Sequence, residues 1–254
     1  MSNQAKLVQL IKMLLLERGE EMLIPLQEAE RFRLFRALCN IREPIPAPSG
    51  FLALQDEFLQ ELLTERGTVE LTETEAFTPQ LALWKGDITR LKADAIVNAA
   101  NSGMLGCFVP NHACIDNCIH TYAGVQLRIR CNELMQGTEE PTGRARITAG
   151  YNLPCRYVLH TVGPIVSGGL TTTHERLLAS CYRSCLELAE QNGVRSLAFC
   201  CISTGVFRFP KHRAAEIAVK TVQEYLRESG STMQVIFNVF QELDESIYRE
   251  VLNR

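Results

Sequence analysis

The chain has 254 residues, 46% of them apolar and 22% charged, with a formal net charge of -3. That composition suits one large domain or a main domain with a smaller attachment, and it supplies enough apolar material for a proper core. There is no basic surplus of the kind a duplex nucleic-acid binder carries, so no nucleic-acid partner is expected, and an anionic ligand must be held by local amides or a metal. The apolar run Met13–Leu16 is flanked by charge and too short for a secretory core or a membrane span, so no membrane association is expected. The ten cysteines are scattered, several inside apolar runs such as "FCCIS", which reads as a cytoplasmic protein with reduced thiols.

The first third predicts helices. Leu7, Leu10, Ile11, Leu14 and Leu15 follow helical spacing, with Ser2 or Asn3 as the cap. A second helix is expected from Pro25, whose fixed φ suits a first helical position, to about Cys39. "REPIPAPSG" (Arg42 to Gly50) is a turn or linker. A third helical segment follows, with Phe51, Phe58, Leu59 and Leu62 on one face and Gly67 as its stop.

From about residue 78 short apolar runs take over: "QLALWKG", "DAIVNAA", "ARITAG", "YVLHTV", "SLAFCCIS" and "MQVIFNVF". Helical patterns lie between several of them, at His174–Gln191, stopped by Asn192-Gly193, and at His212–Glu228. This alternation predicts a layered α/β domain with a parallel or mixed sheet, whose ligands gather at the carboxyl ends of the strands. The loops "KGDIT", "NAANSGMLGC" and "STGVFRFP" each follow a strand run.

Three cysteines and two histidines fall between Cys107 and His120, where the overall composition gives roughly 0.6 and 0.3. Cys107, His112 and Cys114 form a borderline-soft donor set suited to zinc, and three protein ligands leave a position open, as catalytic sites do. The spacing is not that of a zinc finger. Cys118 or His120 could close the site, although "IDNCIH" reads as the start of a helix running inward. The same residues could instead be core thiols beside a surface histidine, or a thiolate nucleophile with His112 as its base.

Ser203 to Pro210 leaves a buried strand and enters a helix near Lys211, so its amides could cradle a phosphate or form an ordinary turn. Asn98 and Asn101 could bracket sugar hydroxyls, or serve only as turn formers. Asp87 could accept from an exocyclic amine or cap a turn. His160 reads as a packed core residue on its strand, while His174 and His212 sit at helix starts.

In this order, "GDIT", "DAIVNAAN", "HTVGP" and "STGVFRFP" resemble the signatures of the macrodomain, the ADP-ribose-binding α/β fold. The resemblance covers about residues 75 to 254 and implies a three-layer α/β/α sandwich with a mixed sheet, after a helical extension over residues 1–74. "IDNCIH" is similar to the family's "VDGAIH", which aligns Asp116 with the aspartate implicated in hydrolysis by some members. Where other macrodomains carry a run of glycines this chain has "GCFVPNHAC", which resembles the zinc-dependent microbial branch, also preceded by a helical extension. Arg208 stands where many relatives have glycine, which puts the shape of that loop in question.

The resemblance further implies roles for single residues. Asp87 would accept from the adenine amine and the Ile88 amide would donate to the ring. The pyrophosphate would lie against amides of Ser203, Thr204, Gly205, Val206 and Phe207 and of Ile115 and Asp116. Asn101 would hold the distal ribose, Phe207 would pack on its face, and Asn101 and Asp116 would be the catalytic pair beside Zn²⁺. The implied activity is zinc-dependent release of ADP-ribose from acidic side chains of mono-ADP-ribosylated protein. The implied partners are a lipoate-carrier protein and the sirtuin-type transferase that modifies it. A pure ADP-ribose reader with structural zinc, or a hydrolase of a small ester such as O-acetyl-ADP-ribose, would use the same pocket.

Overall fold

Ser2 opens the first helix, accepting a hydrogen bond from the Ala5 amide at 3.3 Å. The computed structural model describes residues 1–254. Helix α1 (Asn3–Arg18) buries Leu7, Leu10, Ile11, Leu14 and Leu15, the spaced leucines of the sequence. Helix α2 spans Glu28–Ile41 and α3 spans Phe51–Arg66. The expected start of α2 at Pro25 is not observed. Gln27 is extended and its carbonyl accepts the first helical bond from the Arg31 amide at 3.0 Å. Glu28 and Glu30 then occupy the first turn, where carboxylates favour the positive helix end.

These helices enclose a core of their own. Phe35 and Phe58 meet edge to face at 5.5 Å between ring centroids, surrounded by Leu7, Leu10, Ile11, Leu14 and Phe51. After α3 the chain does not drift as a linker. Val69 pairs at once with the segment around Leu91, its amide bonding the Arg90 carbonyl at 2.9 Å and its carbonyl accepting from Lys92 at 2.9 Å. Pairing with the α/β unit therefore begins ahead of the residue 74/75 boundary expected from sequence.

The remaining elements are β1 (Glu75–Ala76), β2 (Leu81–Lys85), β3 (Ala95–Ala100), α4 (Ile115–Ala123), α5 (Val125–Met135), β4 (Ala145–Ala149), β5 (Tyr157–Val162), α6 (Thr172–Gln191), β6 (Ser196–Phe199), α7 (Lys211–Ser229), β7 (Gln234–Val239) and α8 (Glu242–Leu252). The seven strands form one sheet in the order β1-β2-β7-β6-β3-β5-β4. The five inner strands are parallel, and β1 and β4 are antiparallel edges. Inner strands of such a sheet are covered on both faces, so they read as continuous apolar runs rather than alternating ones. All four residues of β6 are buried, as are the last five of β5 and of β7. The six strand runs of the sequence are thus six strands of the expected mixed sheet. No helix is long and apolar enough to cross a membrane.

Helix α5 had no counterpart in the sequence pattern, for a physical reason. In "VQLRIRC" the apolar residues recur every second position. The segment is nevertheless helical because it lies between two cores: Val125 and Ile129 pack against the N-terminal helices, while Leu127, Cys131 and Met135 pack into the main core. Arg128 of the same helix is buried and donates to four carbonyls, those of Leu105 (2.6 Å), Cys39 (3.0 Å), Asn40 (2.7 Å) and Arg42 (2.6 Å). Three of these lie at the C-terminal end of α2, where helix carbonyls lack internal partners and a cation is favoured.

Because α5 belongs to both cores, the two are expected to unfold together. Phe35→Ala should cost about 3–5 kcal/mol through the cavity it leaves and should still give one cooperative denaturant transition, measured in parallel by circular dichroism and by Trp84 fluorescence. Two separated transitions would show that the N-terminal helices are an independent unit.

Candidate functional site at the carboxyl ends of β3 and β6

Strand β3 ends at Ala100, and its carboxyl end feeds the loop that carries the cysteines. Asn101, the first residue past the strand, is exposed and donates to the Gly106 carbonyl at 3.0 Å. Gly106 has φ +80°, and a Cβ there would sit 2.9 Å from the His120 ring, so only glycine lets the loop fold back over α4.

Beyond it, Cys107, His112 and Cys114 converge with their donor atoms all within 4.8 Å of one another. The Cys107 Sγ to His112 Nδ1 separation is 3.7 Å. A tetrahedral zinc with ordinary bond lengths needs donors about 3.5–3.8 Å apart. The trio therefore fits a soft divalent ion with a small closure, and these are the residues that could hold one. Cys114 is also the N-cap of α4, its Sγ accepting from the Asn117 amide at 3.4 Å. Burial pushes the Cys114 thiol up to about 12, which opposes a free thiolate nucleophile there.

The two residues weighed as closing ligands do not join. Cys118 lies under the Arg36 guanidinium at 3.5 Å. His120 points inward, with its Nε2 3.6 Å from Asp116 Oδ1. His120, Cys131 and His160 do bring donor atoms together, but in the core, where both His160 nitrogens already have partners.

Asp116 sits in the first turn of α4 and is almost wholly buried. Its Oδ1 accepts from Asn98 Nδ2 at 2.7 Å, and Asn101 Nδ2 lies 3.4 Å from its Oδ2. Burial raises its pKa to about 6, against the opposing effect of the Asn98 donor. Asn98 also approaches His160 Nδ1 at 3.1 Å, and the other ring nitrogen meets Thr148 Oγ1 at 2.9 Å. Burial holds His160 at about 4, so it is neutral and accepts from Asn98. Asn98, which the sequence reads as either a sugar-contacting amide or a turn former, is neither: it lies within strand β3. It has no exposed surface and acts instead as a bracket holding Asp116 from beneath. Asn101 is the amide that faces outward.

The second wall comes from the loop after β6. Ser203 has φ +65° and Arg208 φ +58°. Arg208 thus adopts the left-handed conformation that glycine favours, at a modest conformational cost. The loop is closed by Arg208 N to Gly205 O at 3.0 Å and Phe209 N to Ser203 O at 2.9 Å. Within it the amides of Gly205, Val206 and Phe207 have no partner in the chain, and the Thr204 amide has only a long bond of 3.4 Å to Cys201. The first two amides of α4, Ile115 and Asp116, are likewise unpaired. Strands β3 and β6 are hydrogen-bonded neighbours, so both sets of donors lie on loops at the carboxyl end of the sheet, and unpaired amides of this kind suit an anion. Gly163 of "HTVGP" permits the close approach, since a Cβ there would fall 2.1 Å from Ser203 Oγ.

Asp87 caps the single turn of 3-10 helix at Ile88–Arg90, accepting from Thr89 N at 3.0 Å and Thr89 Oγ1 at 2.7 Å. Its other oxygen is ion-paired with Arg66, at the end of α3, whose guanidinium lies 3.7 Å over the Tyr122 ring. The Ile88 amide has no partner in the chain. His174 belongs to the capping box of α6, and His212, beside Glu216 and Glu250, lies on the surface; neither reaches the cleft. Phe240 escaped the sequence reasoning: it ends an apolar strand run yet is 77% exposed, beyond the β7 terminus that bonds to Gly86. An aromatic left exposed at the carboxyl end of an inner strand was the available signal.

A Macro domain family model matches residues 97–218. A protein-ADP-ribose hydrolase of Treponema medium is 55% identical over 236 residues, covering 91% of this chain and 90% of that protein. A protein-ADP-ribose hydrolase of Staphylococcus aureus (strain MRSA252) is 47% identical, covering 100% and 97%. Among solved structures, the Oceanobacillus iheyensis macrodomain with ADP is 40% identical with a TM-score of 0.63, over 71% of this chain and 94% of its own. The Trypanosoma brucei macrodomain in complex with ADP-ribose is 33% identical with a TM-score of 0.66, over 84% and 94%. Relatives thus match nearly the whole sequence, extension included, and the chain belongs to the Macro domain family.

Proposed function

We propose that the protein releases ADP-ribose from mono-ADP-ribosylated protein, that the linkage cut is to an acidic side chain, and that the reaction depends on zinc. The observation that carries this is the joint origin of Cys114 and Asp116 at the start of α4. The three-donor cluster ends at the N-cap of α4, and the buried Asp116 carboxylate and the unpaired amides of Ile115 and Asp116 follow it directly in the helix's first turn. The names borne by the Treponema and Staphylococcus relatives support the hydrolysis itself.

The chain's own residues divide the work. Amides of Thr204 to Phe207 and of Ile115 and Asp116 bind the pyrophosphate through charge-assisted bonds, which suits a protein of net negative charge. Asp87 accepts from the adenine amine through a remaining lone pair, the Ile88 amide donates to the ring, and the exposed Phe240 offers a face for stacking. Asn101 holds a hydroxyl of the distal ribose, and Phe207 packs beside that sugar. Asp116, steadied by Asn98, orients the attacking water and takes its proton. Zinc held by Cys107, His112 and Cys114 would supply Lewis acidity and bring bound water to a pKa of about 7.

We infer a reducing, cytoplasmic setting from the scatter of the ten cysteines, several of them inside apolar runs. The modified protein we infer is a lipoate carrier modified by a sirtuin-type transferase.

Cys114→Ala should abolish release of ADP-ribose from an aspartate-modified protein. Its affinity for free ADP-ribose, measured by calorimetry, should stay within about tenfold (about 1.4 kcal/mol) of wild type. Unchanged turnover in a metal-free Cys114→Ala protein would remove the metal from the chemistry. Asn98→Ala leaves Asp116 and His160 buried without their shared donor, so it should cost about 1–3 kcal/mol in denaturant unfolding and slow release as well. Full activity with the stability loss would mean that Asp116 needs no such support.

A further inference from the structure

Helix α2 of the N-terminal extension reaches across to the cysteine loop with two side chains, Arg36 and Asn40. Arg36 donates through Nε and Nη2 to Asn117 Oδ1 at 3.0 and 2.8 Å, and through Nη2 to the His112 carbonyl at 2.8 Å. It pairs with no carboxylate. Asn117 is wholly buried and passes the contact on. Its side-chain amide donates to the carbonyls of Val109 at 3.0 Å and Cys107 at 3.5 Å, while its backbone amide donates to Cys114 Sγ at 3.4 Å. One guanidinium therefore touches His112 directly, and Cys107 and Cys114 through a single intermediary. A second bond from the same helix, Asn111 N to Asn40 Oδ1 at 2.9 Å, holds Asn111 at φ +56° next to His112.

We propose that Arg36 is a positioning residue for the three-donor cluster, so that the N-terminal extension is part of the metal-binding device rather than an accessory to it. This rests on the metal site proposed above. The chemistry favours arginine over lysine. The planar fork meets Asn117 Oδ1 and the His112 carbonyl together, fixing their separation, whereas an ammonium on a flexible stem fixes one point. Holding the loop in its ligating shape before the ion arrives removes the ordering cost from binding. Loss of the fork leaves Asn117 free to turn and frees the His112 backbone, so all three donors loosen together.

The test uses the full chain, with Zn²⁺ competed against a chromophoric chelator, ADP-ribose binding by calorimetry and metal-free thermal melts. Arg36→Met keeps the apolar stem and removes every donor. It should weaken zinc binding about 10–100-fold, the usual effect of losing an outer-shell partner. ADP-ribose affinity should change much less than zinc affinity, and the metal-free melt should drop only by the modest amount expected when buried Asn117 Oδ1 loses its Arg36 donors. Arg36→Lys, which keeps charge and fold, should fall between Met and wild type. Zinc affinity in Arg36→Met equal to wild type overturns the positioning role while leaving the metal site intact. A loss in zinc affinity matched by an equal loss in ADP-ribose affinity and in the metal-free melt makes Arg36 merely structural. Wild-type protein that binds no zinc overturns the metal site and this role with it. If Arg36→Met does not fold, the same decision falls to Arg36→Lys: wild-type zinc affinity there overturns the proposal.

Discussion

Everything at the mouth of the cleft depends on how α4 is held. A helix of nine residues has little stability of its own in water. Here every side contributes something different. Asp116 is tied to Asn98 on β3, Asn117 to Arg36 on α2, and Tyr122 lies under Arg66 at the end of α3. Ile119 and Ala123 enter the main core. The last turn is fastened by Asn152, whose side-chain amide reaches the Ala123 carbonyl at 3.0 Å. With the helix fixed at both ends, its two unpaired amides, its N-cap thiol and its buried carboxylate are held together in one turn.

The same arrangement explains why the N-terminal helices do not behave as an appendage. They bury one flank of α4 and α5, as the Phe32–Tyr122 stack at 6.2 Å and the entry of Val125 into their core show. They also supply polar anchors where the α/β unit has open valences. Gln55 caps the Val125 amide at 3.0 Å, Arg66 pairs with Asp87, and the α2 carbonyls receive Arg128. Buried groups such as Arg128 and Asn117 are costly when unpaired, so each joins the two units more firmly than apolar contact alone. Asp87 and the cysteine loop therefore rest on a scaffold of two cores.

What the sequence revealed and what it hid follow from distance along the chain. Strands buried on both faces betray themselves as apolar runs, and the Cys107–Cys114 cluster is local, so both could be read directly. Asn98 and Asp116 were visible as residues, but their relation was not, because alternation on β3 does not say which amide turns inward. Arg36 meets Asn117 81 positions away, and Arg128 meets Asn40 88 positions away. Nothing in an arginine's immediate neighbours announces such a partner. Helix α5 was obscured because facing two cores breaks the single-stripe pattern on which helix recognition relies.

On the function proposed above, a metal held by Cys107, His112 and Cys114 is needed for release of ADP-ribose from protein. The direct test is ADP-ribose release from an aspartate-modified protein by the wild-type chain, before zinc stripping, after it, and after zinc is returned. Release that vanishes on stripping and recovers with stoichiometric zinc is the expected result. Undiminished release from the stripped protein, or none from the zinc-loaded protein despite ADP-ribose binding, would contradict it.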